Sequence, residues 1–182
     1  MKENFGQTQD NSFGVLEFLH WNHGWNSYKY SDDASIAKSV GLMKECGVKW
    51  VRLDFLWEDI EPKQGEFSFE KYDRIVKIVS LGGLKILGVL HYSANWASES
   101  NVWNSPPKDN KLFVNYTEKV ISRFKDKIKY WEIWNEPDSP AYWVPQDGLK
   151  RYCLLLRDVY VAAKNIDPEC KVLNGGLVDS SC

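Results

Sequence analysis

At 182 residues the chain is about the length of one domain, and its 43% hydrophobic content can fill a sizeable core. Lys and Arg total 23 against 25 Asp and Glu, so the net charge of −2 leaves no electrostatic footprint for nucleic acid or an anionic membrane. No apolar run nears the ~20 residues of a membrane span, and the polar lead over residues 1–12 shows no signal peptide, which leans the expectation toward the cytoplasm.

Residues Gly14 to His20 form a short apolar run after a glycine and predict a first strand. Ser31, Asp32 and Asp33 offer N-caps to a helix whose apolar positions Ile36, Val40 and Met43 keep helical spacing, with Gly47 as its stop. Lys49 to Phe55 is a β-branched and aromatic second strand. Ser68 can cap a helix carrying Phe69, Tyr72, Ile75, Val76 and Val79, ended by Gly82 and Gly83. Leu84 to His91 is a third strand, and a helix follows from about Asn110 to Phe124. Ile128 to Asn135 is a fourth strand, stopped by Pro137, which has no backbone donor for a ladder. A last helix is predicted from about Asp147 to Asn165, and a fifth strand begins after Cys170. The four cysteines lie far apart without CxxC spacing; Cys46 and Cys153 fall in helical patterns and read as buried free thiols rather than a disulfide framework.

Strands alternating with helices imply parallel β-structure joined by right-handed crossovers. The strand starts recur about every 39 residues, so eight units would take roughly 310, inside the range of an eight-fold barrel. No GxGxxG follows the first strand and there is no GxxxxGK[ST], so a nucleotide-binding doubly wound sheet lacks its usual signature. The expected fold is α/β: an incomplete (β/α)8 TIM barrel over residues 13–182, with strands 1–5 and four connecting helices but no strands 6–8.

In such barrels the chemistry sits where strands end and βα loops begin. All three histidines are expected there, His20 and His23 after strand 1 and His91 at the end of strand 3. So are six of the nine tryptophans: Trp21, Trp25, Trp57, Trp96, Trp103 and Trp143. Flat aromatics beside Asn, Asp and His suit sugars, whose C–H faces stack on rings while their hydroxyls need hydrogen bonds. Period-2 geometry turns Trp50, Arg52 and Asp54 into the barrel and Val51, Leu53 and Phe55 toward the helices; Arg52 and Asp54 could be a structural ion pair. On strand 4 the same parity groups Glu132, Trp134 and Glu136, and Asn135 turns inward only if the strand end is irregular.

At "WEIWNEP", Trp131 to Pro137, the chain resembles the clan A (β/α)8 glycoside hydrolases, closest to family 39 with families 5 and 42 as near relatives. The stretches Trp50–Asp73, Leu87–Ala97, Tyr130–Asp138 with Tyr142 and Trp143, and Asp167–Gly176 carry the likeness in order. The resemblance implies retaining hydrolysis of O-glycosidic bonds by two glutamates, without metal or cofactor, on a carbohydrate substrate. By it Glu136 matches the acid/base, Asn135 the residue that binds the substrate's 2-hydroxyl, Arg52 an arginine near the nucleophile and His91 a strand-3 sugar contact. His20, Trp57, Trp96 and Trp143 complete the expected substrate-binding set. Chemistry agrees on the first role: a poor leaving group needs a proton, and water must then be activated from the same side, which one carboxyl can do in turn.

Retention also needs a second carboxylate roughly 5–5.5 Å away as nucleophile. The family takes it from strand 7, beyond this chain. Glu17, Asp54 and Glu132 are the other inward or near-inward acids, and none has the strand-end setting of Glu136. Two further readings remain at this point: a non-catalytic sugar-binding half-barrel, and a metal-dependent barrel hydrolase using His20, His23 and His91. Five strands cannot close a barrel, so the open edges of strands 1 and 5 lead to the expectation that the isolated chain self-associates; without the nucleophile it is also expected to show no glycosidase turnover.

Overall fold

The structure, a computed structural model, describes residues 12–145 and 149–178. Most of the polar lead, the proposed helix start at Asp147, and Cys182 lie outside the described residues. In chain order the elements are β1 (Gly14–Leu16), α1 (Asp33–Glu45), β2 (Trp50–Leu56), α2 (Trp57–Ile60), α3 (Glu70–Leu81), β3 (Lys85–His91), α4 (Asn110–Phe124), β4 (Tyr130–Ile133), α5 (Leu149–Ile166) and β5 (Lys171–Asn174). The five strands form one parallel sheet in sequence order, β1-β2-β3-β4-β5. That order, with a helix crossing between each pair, is the first part of a (β/α)8 barrel.

The strand alternation sorts the sheet's two faces. Val51, Leu53, Phe55, Ile86, Leu90, Trp131 and Ile133 are buried beneath the helices. Arg52 is level with Leu87 and Tyr130, and Asp54 with Val89 and Glu132, on the opposite face. This concave face encloses an open trough of about 520 Å³, lined by Leu16, Trp50, Arg52, Leu87, Tyr130 and Leu173 among others. Gly88 lies on the helix-facing side, where a Cβ would sit 2.5 Å from Trp131 Cζ3, so the indole closes over the strand only because no side chain is there.

Local signals explain the helix ends. Asp32 caps α1 through Ser35 N, with the Ser35 hydroxyl returning to the cap as a capping box, and Gly47 follows at φ 81°. Asp109 caps α4 by accepting from Lys111 N. The cap expected at Ser68 is not one: α3 begins one residue later, Phe69 occupies its N-cap without a side-chain bond, and Ser68 N donates to Ile60 O at 2.8 Å. β1 ends at Leu16 rather than His20, where the chain turns and Trp21 N meets Phe18 O. The single turn α2 was not anticipated by periodicity. Cys46 and Cys153 are free but exposed, correcting the buried reading; Cys170 is free and buried. No helix of the described residues is long and apolar enough to cross a membrane.

Candidate active site

The four-residue ladder of β4 ends at Ile133, and the next three residues break its parity. Trp134 and Glu136 both adopt left-handed backbone, φ 68° and 47°, with Asn135 between them. Trp134 therefore leaves the face of Glu132 and enters the core against Phe113 and Trp143, its Nε1 donating to Tyr142 O at 2.9 Å. Asn135 swings inward. This corrects the parity grouping of Trp134 with Glu132, and supplies the irregular strand end that an inward Asn135 required. Glu136 is half-buried, and its backbone N–H is held by Gly176 O at 2.9 Å, so the end of β5 braces the end of β4. Pro137 is buried behind it.

Arg52 and Asn135 meet. The Arg52 guanidinium forks onto Glu132, Nε to Oε2 at 2.9 Å and Nη2 to Oε1 at 2.7 Å, while Nη2 also donates to Asn135 Oδ1 at 2.9 Å. The Asn135 amide then donates through Nδ2 to the Tyr92 hydroxyl at 3.2 Å. Gly176 N donates to Glu132 Oε1 at 3.0 Å. The partner of Arg52 is thus Glu132 across β3, not the Asp54 of its own strand. Burial works against the Arg52 charge, but the Glu132 carboxylate outweighs it and the guanidinium is held more firmly protonated than usual.

Asp54 faces His91 instead, with His91 Nε2 3.3 Å from Oδ1. That is ion-pair distance without hydrogen-bond alignment: Asp54 Oδ1, both ring nitrogens of His91 and Nδ1 of His20 have no hydrogen-bond partner among the described residues. Burial pushes the Asp54 carboxyl up, yet His91, His20 and Arg52 together hold it below the usual range. Burial pushes His20 down to about 4, against the pull of Asp54 and Asp59, so its ring is neutral at pH 7. His20, Asp54 and His91 form a buried polar set with open bonding capacity beside the Arg52–Asn135 link.

His23 is diverted from that set. Its Nε2 bonds Asp59 at 2.8 Å, and Lys71 Nζ takes the other Asp59 oxygen at 2.7 Å. Among the described residues no three His, Cys, Asp or Glu side chains converge as metal ligands, so the metal-hydrolase alternative has no ligand set here.

Two of the expected substrate-binding tryptophans are core residues. Trp57 is fully buried, stacked on Tyr116 with Nε1 on Glu61 at 2.7 Å, and Trp143 is 1% exposed. Neither offers a face to a ligand, because α4 and α5 pack over them. Trp96 is half-buried, its Nε1 donating to Glu61 O at 2.8 Å and Lys108 lying over its ring. Sequence reasoning missed Tyr92 and the bracing role of Glu132. Tyr92 directly follows His91, and the strand-end rule that selected His91 would have reached it.

The glycoside hydrolase family 42 model, described as beta-galactosidase, matches residues 26–89. A 6-phospho-beta-glucosidase of Clostridium longisporum is 29% identical over 144 residues, covering 74% of this chain and 27% of its own length. Endo-1,4-beta-xylanase 2 of Claviceps purpurea is also 29% identical, over 72% of this chain and 41% of its own. Among solved structures, a family 39 glycoside hydrolase from Bacteroides cellulosilyticus WH2 superposes with a TM-score of 0.69 at 22% identity, over 91% of this chain and 31% of that one. The exo-beta-1,4-mannosidase Op5Man5 of Opitutaceae bacterium strain TAV5 gives 0.67 at 18% identity, over 90% and 31%. The chain thus spans about a quarter to two-fifths of these relatives. The family 42 match spans β2 and most of β3, and the fold is shared with these enzymes over most of the chain, so the chain is similar to (β/α)8 glycoside hydrolases and holds five parallel strands of such a barrel among the described residues.

Proposed function

We propose that this chain is the acid-bearing part of a retaining β-glycosidase, with Glu136 as acid/base and the nucleophile carried by strands it does not include. The observation that carries the reading is the β4 terminus: two left-handed residues present Asn135 and Glu136 together, and Arg52 and Tyr92 fix the Asn135 amide from both sides. In that role Glu136 protonates the glycosidic oxygen as the bond breaks, then takes a proton from the incoming water. Asn135, with both ends of its amide already oriented, holds a hydroxyl of the sugar. Behind them His20, Asp54 and His91 are almost closed to solvent and keep the ground beneath the sugar polar without presenting a surface of their own. Relatives named 6-phospho-beta-glucosidase and endo-1,4-beta-xylanase make β-glucosides, with and without a 6-phosphate, and β-xylosides the first substrates to try.

A second reading, a sugar-binding half-barrel without turnover, is favoured by the state of the other inner acids. Glu132 is locked in the Arg52 fork, Asp54 faces His91, and Glu17 Oε1 accepts from the Tyr30 hydroxyl at 2.8 Å. The test is turnover after co-expression with strands 6–8 of a related enzyme. Glu136→Gln should then lose most activity on alkyl glycosides and much less in the first step on activated aryl glycosides, which need no proton. Equal loss on both classes would remove Glu136 from the acid role.

A further inference from the structure

With Trp57, Trp131, Trp134 and Trp143 all sealed in the core, the aromatic face left beside Glu136 is a different one. Tyr92, Trp103 and Tyr142 form it. The Tyr92 and Tyr142 rings are parallel within 8°, centroids 5.9 Å apart. Trp103 stands edge-on to both, 4.7 Å from Tyr92 and 6.1 Å from Tyr142. Trp103 is 47% exposed and the two tyrosines are half-buried, so the group presents ring surface outward while being packed from behind.

The wall is also held. Ser93 N donates to Trp103 O at 2.9 Å, Val144 N to Asn104 O at 2.9 Å, and Asn104 Nδ2 to Ala141 O at 3.0 Å, so the loops after β3 and β4 are stitched together on either side of the rings. Ser98 Oγ donates to Val102 O at 2.7 Å and closes the base of the Trp103 loop. A ring surface fixed in this way loses little freedom when a ligand lies on it.

Its place decides what it meets. Tyr92 carries Asn135 on its hydroxyl, and the Glu136 carboxylate is among the charges that, behind burial, push that hydroxyl's pKa up. One side of Asn135 leads to Arg52 and the buried polar set, which suits a ring covered in hydroxyls. The other leads to three aromatic faces, which suit a group with a flat apolar face. A carboxyl that protonates the glycosidic oxygen lies between the sugar and its leaving group. We propose that Tyr92, Trp103 and Tyr142 are a stacking platform for a planar, aromatic leaving group, and that they set a preference for aryl over alkyl glycosides. The assignment of the stacked ring to the leaving group rests on the acid role proposed for Glu136.

The test is ligand-observed NMR titration of the purified chain with phenyl β-D-glucoside and phenyl β-D-xyloside against their methyl counterparts. The phenyl compounds should bind about three- to tenfold tighter, the size of one aromatic contact. Trp103→Ala and Tyr142→Ala should bring them down to the methyl level, while Trp103→Phe and Tyr142→Phe, which keep a ring, should retain most of the preference. Thermal melts of each variant separate loss of the platform from loss of the fold. Equal affinity for phenyl and methyl glycosides, no response to either, or an aryl preference that survives both alanine variants overturns the platform. Equal loss of both substrate classes in Glu136→Gln of the completed barrel, with the aryl preference intact, would instead overturn the acid assignment and leave the binding surface standing.

Discussion

His20 ties the chemistry of one ring to the stability of the whole chain. Burial holds its folded-state pKa near 4, while in the unfolded chain it returns to about 6.5. Between those values the unfolded chain takes up a proton that the folded one refuses, so stability falls as pH drops through 6.5 and levels off below about 4. The full effect is on the order of 3 kcal/mol. Asp54 and Asp59 act in a second window: their folded pKa values are depressed, so their contribution is present above the ordinary carboxylate value of 3.8 and lost as pH falls below it. Urea midpoints at pH 7, 5.5 and 4.5 should therefore fall steadily for the native chain and stay nearly level for His20→Gln. A native profile flat over that range would remove the neutral, buried His20. Glu136 stood out in the sequence because "NEP" closes an aromatic strand, and the structure places it half-buried at that strand's irregular end. The sealing of Trp57 and Trp143 was not legible, because burial is decided by how α4 and α5 pack over the rings, which loop position does not reveal.

Among the elements, β3 shows how a strand can be specified by an absence. Its residues Ile86, Val89 and Leu90 read as a buried strand from composition alone, and Gly88 reads there as a weakness. The neighbouring strand supplies the reason: Trp131 fills the space a side chain would take, with Phe55 Cε2 3.2 Å from the same point. Gly88→Ala should destabilise by about 1–3 kcal/mol, the range for overpacking a tight core, and a urea midpoint unchanged within error would contradict the packing described. Strand and helix order was legible because each element has its own period, and the Asp32 cap followed from residue type. The ends of β1 and β4 were misplaced for different reasons: a local turn, Trp21 N to Phe18 O, follows β1, whereas Glu136 N to Gly176 O ties the end of β4 across the sheet to a partner distant in sequence.

At the scale of the whole molecule, the concave face is the open question that the chain poses to its surroundings. β1 and β5 are each paired on one side among the described residues, and Leu16, Tyr130 and Leu173 are 46%, 38% and 38% exposed along the trough. A second groove of about 410 Å³ runs along α5 and β5, lined by Leu156, Tyr160 and Val172. Unpaired strand edges flanked by apolar surface pair with whatever strand is offered. The purified chain alone should therefore elute in size-exclusion chromatography as concentration-dependent oligomers and show no glycoside turnover. Co-expression with strands 6–8 of a relative should shift it to a single heterodimeric species. A monodisperse monomer with unaided hydrolysis would falsify the proposed division of acid and nucleophile, and would return Glu17, Asp54 and Glu132 to consideration.

The two left-handed residues at the end of β4 have a consequence for how such a chain would change under selection. Trp134 and Glu136 each hold a backbone shape that costs a residue with a side chain roughly 1–2 kcal/mol and costs glycine almost nothing. A library screened only for survival at high temperature would be drawn to position 136, where the half-buried carboxylate contributes little packing to set against the relief of strain. Position 134 is guarded, since glycine there would empty the space of a fully buried indole. Under the acid role proposed for Glu136, heat selection and catalytic selection would thus pull one residue in opposite directions while agreeing about its neighbour two places before, and the winners of the first would be the sturdiest and most inert members of the population.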